Sequence, residues 1–295
     1  METRLLVFGG SGLVGSHFIK IYRSKFLIKA PLINEVDILN KDQLDLALED
    51  FRPDVTVNFA AFTNVQGAEE QKGGRSGLCY LINVRGAKNI ADACSKKGVY
   101  LIHISTDYVF NGTKSDAPYT EEDTPDPKNW YGQTKYFAEQ EVLNSGCKFS
   151  IVRIAMPFSP HYELKKDIAR FFLEQLNRNR KIKAISDARV TPIFVEYVAN
   201  ALFAIIKKRP PGLFHVVSTN WTTPFEFAKL LAKEFNLDAS LVEPITLDEY
   251  NKDKKAPILK YSWLDPTKFI REFGDGILAT VEENIKVFRQ EIEKD

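Results

Sequence analysis

The chain has 295 residues, 44% of them hydrophobic and 27% charged, enough apolar material to close one large or two smaller cores, which excludes a disordered chain. Forty Lys and Arg oppose thirty-nine Asp and Glu, a net charge of +1, so no global field draws the protein to nucleic acid or an anionic membrane. Cys79, Cys94 and Cys147 lie far apart, without a Cys-x-x-Cys pair or metal-ligand spacing, which predicts free thiols, no metal site and a reducing, cytoplasmic setting. Met1-Glu-Thr-Arg-Leu-Leu-Val-Phe8 has too short an apolar run for a signal peptide, and no stretch approaches the ~20 apolar residues of a membrane helix.

In chain order, Leu5-Leu-Val-Phe8 is a continuous apolar run ending at glycine, the pattern of a strand buried on both faces of a parallel sheet. Helical patterns follow near 13–22, 41–51, 81–97 and 131–144, alternating with strand candidates at 26–29, 55–59, 100–104 and 149–154. This alternation predicts an α/β fold, a Rossmann-type doubly wound parallel sheet. Pro118, Pro125 and Pro127 mark a long loop before the 131–144 helix, and loops of that length often serve function. Beyond Arg153 the pattern is mixed, with helices near 167–179, 196–208, 225–235 and 277–291. The expected organisation is a dinucleotide-binding domain over 1–153, joined by parts of 185–218, and a smaller mixed substrate-binding lobe over 154–295. Phe214-His-Val-Val217 is a candidate to return to the main sheet.

Gly9-Gly-Ser11-Gly12-Leu13-Val14-Gly15 links the first strand to the first helix. Glycines permit the tight turn and close approach of a pyrophosphate, while the helix N-terminus offers free N–H groups and partial positive charge. In this strand–loop–helix context the pattern is a dinucleotide fingerprint, with Gly9, Ser11, Gly12, Leu13, Val14 and Gly15 as candidate contacts. The second strand, Phe26-Leu-Ile-Lys-Ala-Pro31, ends without a carboxylate and with Lys29 nearby, which leans slightly toward NADP(H) over NAD(H), since an acid there would repel a 2′-phosphate. Asp37 and Ile38 stand about twenty residues past the glycines and are placed either to bracket the adenine or, for Asp37, to cap the helix at Lys41.

Ser105-Thr106-Asp107 follows an apolar strand at its carboxyl end, where open α/β sheets bind ligands. Tyr131-Gly-Gln-Thr-Lys135 places a phenol and an ammonium one helical turn apart on one face. Thr106 and Tyr131 donating to one ketone oxygen would stabilise the charge that develops there during hydride attack, with Tyr131 delivering the proton. Lys135 would keep the phenol's pKa low and hold the nicotinamide ribose. The structural alternative makes Ser105 and Thr106 turn caps.

These segments, with Arg52-Pro-Asp-Val-Thr-Val-Asn-Phe-Ala-Ala61 and His103-Ile-Ser-Thr-Asp-Tyr-Val-Phe-Asn-Gly112, resemble the extended short-chain dehydrogenase/reductases, and within them the dTDP-4-dehydrorhamnose reductase family. The resemblance spans most of the chain. It implies reduction of the 4-keto group of a nucleotide-linked deoxysugar, with Thr106, Tyr131 and Lys135 catalytic and Gly9, Gly12, Gly15, Asp37, Ala60, Ala61 and Thr63 on cofactor-contacting positions. A homodimer is implied by the superfamily alone.

The sequence departs from the family pattern at substrate-recognition positions. Met156 stands where the family usually has a base-stacking tryptophan, a smaller stacking surface. No arginine precedes Ser262-Trp-Leu264, where the family tends to place one for diphosphate; Lys254, Lys255 or Lys260 are the nearby cations, without the bidentate fork. His17 replaces a glutamate that some members use in a magnesium-bridged dimer. Two alternatives stay open: a cofactor-binding regulatory protein similar to the methionine adenosyltransferase beta subunit, and an NAD-dependent epimerase or dehydratase. A dehydratase would be expected to carry Asp-Glu after the threonine, where this chain has Asp107-Tyr108. The remaining marked residues have plain readings: His103 as a core residue, Trp130 as packing or pocket lining, Trp221 and Trp263 as second-lobe packing, and Glu121-Glu-Asp123 as a solvated loop.

Overall fold

The computed structural model describes residues 2–162, 164 and 166–294. The predicted alternation forms β1 (Arg4–Phe8), α1 (Leu13–Tyr22), β2 (Leu27–Lys29), α2 (Lys41–Phe51), β3 (Val55–Asn58), α3 (Ala87–Lys97), β4 (Tyr100–Thr106), α4 (Trp130–Leu143) and β5 (Phe149–Ile154). These are followed by α5 (Ile168–Asn177), α6 (Val195–Lys208), β6 (Gly212–His215), α7 (Pro224–Glu234) and α8 (Val281–Ile292). The six strands make one parallel sheet in the order β6-β5-β4-β3-β1-β2. One row of the register runs from Val7 through Val57 and Ile102 to Ser150 and Gly212. From β1 the chain goes outward to β2 and then returns to the other side of β1 as β3, so the strand order reverses between β1 and β3 and opens a crevice at their carboxyl ends.

Alternate residues of β1 supply the two faces of the sheet. Leu6 and Phe8 pack with Leu44 and Leu48 of α2 and with Ile90 of α3. Leu5 and Val7 belong to the opposite cluster, which runs through Phe18 and the α6 residues Val198 and Leu202 into Phe158, Phe227 and Phe288. That continuity joins the two halves of the chain, since the same apolar layer covers the sheet and fills the second lobe. Residues 195–215 accordingly belong with the sheet: α6 packs on α1, and β6 pairs with β5. Three short parallel pairs organise the rest: Ile182–Ile185 with Val242–Ile245, Arg189–Val190 with Tyr261–Ser262, and Pro157–Phe158 with Ile193–Phe194. Among the described residues no helix is long and apolar enough to cross a membrane.

Two sequence expectations are revised. The helix expected over 81–97 is widened to a π-helical turn at Leu81–Gly86 before α3 begins, a form often found at functional sites. Glu121 is not a solvated loop residue: its carboxylate accepts the His215 N–H of β6 at 2.8 Å, and burial pushes its pKa up. Asp123 accepts from Thr120 N–H at 2.7 Å and pairs with Lys114 at 2.8 Å, so the acidic run closes the proline-rich loop onto the fold.

Candidate active site

The glycine loop sits at the reversal of strand order. Gly9 has φ of 72°, and a Cβ there would lie 2.4 Å from the Ala60 nitrogen at the end of β3, so the turn admits only glycine. A Cβ on Gly15 would lie 2.6 Å from the Gly9 carbonyl oxygen, so that glycine serves close packing of α1 on the loop. Gly12 differs: a Cβ there meets only the Gly9 carbonyl oxygen, at 3.3 Å. Its missing side chain leaves space beside a helix N-terminus that no side chain caps, which fits a diphosphate cradled by backbone N–H groups. Ser11 is exposed, whereas Val14 is buried in the core and Leu13 packs against it. The side chains at 13 and 14 therefore hold the helix, and only their backbone is free to serve a ligand.

Asp37 and Ile38 lie beyond β2. The Asp37 carboxylate accepts the Leu39 N–H at 2.9 Å, and α2 is capped by Asn40, which removes the capping role weighed for Asp37. Ile38 is a core residue whose side chain fills the space left by Gly86, where a Cβ would lie 2.4 Å from it. Ala60 and Ala61 are partly buried and Thr63 is exposed on the segment after β3. The π-helical turn positions this segment: Asn83 accepts the Phe62 N–H at 2.7 Å and donates to Thr134 of α4 at 3.0 Å. No spacing in the sequence marks Asn83, because its role depends on the widened turn.

Thr106 ends β4, and Asn129 caps α4 by accepting the Gly132 N–H at 2.8 Å, so the helix starts at Trp130. A Cβ on Gly132 would lie 2.1 Å from the Tyr108 carbonyl oxygen. The absence of a side chain there lets the first turn of α4 press onto the 107–109 turn and brings Tyr131 to Thr106. Burial pushes the Tyr131 phenol above its ordinary pKa, hydrogen bonding with Thr106 works the other way, and the Asp107 charge adds to the rise. This corrects the expectation of a phenol held low by Lys135: desolvation dominates, and Lys135 is not among the groups that shift Tyr131.

Lys135 is buried and donates from Nζ to the Ile104 carbonyl at 2.6 Å. Burial brings its pKa down to about 8 against the opposing pull of Glu139. The ammonium form is the one that can steady a phenolate on Tyr131, so kcat/KM for reduction should fall as pH rises through about 8. A profile flat from about pH 6 to 10 would show that Lys135 does not act as a cation.

Glu139, one turn beyond Lys135, went unremarked in the sequence. Buried where α4 packs against the sheet, it accepts Ser105 at 2.5 Å and the Arg153 guanidinium through Nε at 2.9 Å and Nη2 at 2.7 Å. Thr106 caps the 107–109 turn through the Tyr108 N–H at 3.3 Å and also donates to Asp107 at 2.9 Å, which is the turn-cap role weighed for it. Asp107 also accepts from Ser262 of the second lobe. His103 bonds Asn58 in the core at 3.2 Å. Trp130 stacks on Tyr80, and the Arg189 guanidinium lies 4.7 Å from the ring centres of both Trp221 and Trp263.

The family model described as RmlD substrate binding domain matches residues 3–293. The chain belongs to that family. Its RmlD-family relatives include the dTDP-4-dehydrorhamnose reductase of Aggregatibacter actinomycetemcomitans, 30% identical over 92% of this chain and 94% of that protein. Methionine adenosyltransferase 2 subunit beta of Rattus norvegicus is likewise 30% identical, over 83% of this chain and 76% of its own length. A solved structure of dTDP-4-dehydrorhamnose reductase from Bacillus anthracis in complex with NADP superposes with a TM-score of 0.90 at 28% identity, covering 99% of this chain and all of that one. Within the RmlD family the chain is an NAD(P)-dependent oxidoreductase of the short-chain dehydrogenase/reductase type.

Proposed function

We propose that the chain reduces the 4-keto group of a nucleotide-linked deoxysugar with NADPH, and with NADH less well. The observation that supports this reading is the hydrogen bonding of Tyr131 with Thr106 at the carboxyl end of β4, together with the buried Lys135 ammonium bonded to Ile104 of the same strand, which only β3 separates from the glycine-loop strand β1. Gly9, Gly12, Gly15 and the N-terminus of α1 would hold the diphosphate, with Ala60, Ala61 and Thr63 beside it. When bound, the reduced nicotinamide supplies the hydride. Tyr131, kept protonated by burial, gives its proton to the ketone oxygen, and Thr106 helps to orient it. Lys135 supplies the nearby positive charge that the resulting phenolate needs. The preference for NADPH rests on the absence of a carboxylate at the end of β2.

The sugar-nucleotide end is built differently from the family pattern. Met156 follows β5 with a left-handed φ of 41°, a conformation uncommon outside glycine and frequent at binding sites. Lys255 pairs with Glu70 at 2.6 Å and Lys260 with Asp187 at 3.4 Å. Lys254 instead lies 4.9 Å from the centre of the Tyr250 ring, which makes it the cation most available for a diphosphate. A second reading, a regulatory protein akin to methionine adenosyltransferase 2 subunit beta, draws support from Met156 and from equal identity to that subunit.

The deciding experiment mixes the protein with NADPH or NADH and a panel of nucleotide-linked 4-keto sugars and follows loss of reduced-nicotinamide absorbance. Faster oxidation of NADPH with one sugar is the expected result. Tight dinucleotide binding without oxidation by any sugar would favour the regulatory reading.

A further inference from the structure

The Thr106 hydroxyl has one proton, which is directed at Asp107 while Tyr131 is a neutral phenol. Thr106 Oγ1 donates to Asp107 Oδ1 at 2.9 Å while accepting the Tyr108 N–H at 3.3 Å, so two bonds fix the hydroxyl rotor where it meets Tyr131. Asp107 is itself only 3% exposed. Its second oxygen takes the Ser262 hydroxyl, from a strand pair, Arg189–Val190 with Tyr261–Ser262, that belongs to the second lobe. The carboxylate thus lies between the catalytic hydroxyl and the lobe proposed to hold the sugar nucleotide. Among the described residues no lysine, arginine or histidine shares in its bonding: burial raises its pKa to about 6, and the opposing contributions are hydrogen bonds from Ser262, Thr106 and the backbone. An anion buried without a cation depends strongly on each of those donors.

We propose that Asp107 is a positioning residue, which holds the Thr106 hydroxyl in the orientation that serves Tyr131 and is held in turn by Ser262 of the second lobe. This rests on the reductase reading of the site. The second lobe then sets the catalytic hydroxyl through a two-bond chain without touching the reacting atoms. In Asp107→Asn the side chain keeps its shape but becomes a neutral acceptor on one side and a donor on the other. It can no longer accept from Thr106 and Ser262 through two equivalent oxygens.

The test compares Asp107→Asn, Ser262→Ala and the double variant with the wild type, in kcat, KM and dinucleotide affinity. The expected results are a loss of about tenfold in kcat for Asp107→Asn and about threefold for Ser262→Ala, with KM and dinucleotide affinity within about twofold. The double variant should be no slower than Asp107→Asn alone, because both act through one carboxylate. Unchanged kcat in Asp107→Asn, a loss confined to KM, or additive losses in the double variant would overturn the proposal. Should Asp107→Asn not fold, Ser262→Ala decides alone: slower kcat at constant KM supports the chain, and unchanged kcat removes it.

If the wild type reduces no sugar of the panel, the reductase reading fails on its own account, and the positioning role is judged by titrating the Tyr131 phenol. The ultraviolet phenolate difference between each protein and its Tyr131→Phe counterpart should move to lower pH in Asp107→Asn, and the movement should largely vanish in a Thr106→Val background. A Tyr131 titration that ignores Asp107, or that responds equally without Thr106, overturns the proposal.

Discussion

Tyr131→Phe should lower kcat by about 10²- to 10⁴-fold, the range associated with a lost general acid, while dinucleotide affinity changes by less than about threefold. The substitution removes one oxygen and keeps the ring that meets Tyr108 edge-on at 5.8 Å, so helix α4 and the glycine loop are undisturbed. Thr106 and Lys135 are engaged elsewhere. The Thr106 proton is committed to Asp107, and Lys135 is tied to the Ile104 carbonyl. Steady-state turnover of the best sugar from the panel, with dinucleotide affinity from fluorescence titration, checks the prediction. A variant that keeps more than about a tenth of wild-type kcat would show that the proton comes from elsewhere.

Glu139→Ala should produce the largest loss of stability among the site residues, about 3–5 kcal/mol, the cost associated with removing one partner of a buried ion pair. Both side chains are almost wholly inaccessible, 1% exposed for Glu139 and 3% for Arg153. Without the carboxylate, the guanidinium is left with the Phe110 ring 4.9 Å away and the His215 ring nitrogen at 3.4 Å. Ser105 loses its acceptor as well. The same change withdraws the charge that supports the Lys135 ammonium, so the alkaline fall of kcat/KM should begin at lower pH than in the wild type. Denaturant unfolding measures the first effect and the pH–rate profile the second. Stability lowered by less than about 1 kcal/mol would mean that solvent reaches Arg153 when Glu139 is absent.

The parts of this site that were legible from residues alone are those built from local pattern. The apolar run Leu5–Phe8 before the glycines, the alternation of strands and amphipathic helices, and the four-residue spacing of Tyr131 and Lys135 are short-range features, and short-range physics suffices to read them. Thr106 was legible for the same reason, as a hydroxyl at the end of an apolar strand. Glu139 was not, since a glutamate in a helix ordinarily faces water. It is buried because Ser105 of β4 and Arg153 of β5 come to it from neighbouring strands, across 34 and 14 residues of sequence. Glu121 escaped in the same way, its partner in β6 standing 94 residues away. The Ile38 side chain lies in the core, which was not legible because only the folded chain sets it against Gly86.

By itself the sequence determined the class of fold and marked the glycine loop and the Tyr131–Lys135 pair proposed for the dinucleotide and the proton, all consequences of periodicity and spacing within a few turns of chain. Tertiary structure alone decided the electrostatic state of that pair. Desolvation in the closed site raises Tyr131 and brings Lys135 down, and the strength of desolvation depends on what the rest of the fold packs around them. It also decided that Asp107 meets Ser262, since Ser262 is 155 residues away in sequence and a hydrogen bond requires the fold to bring the two together.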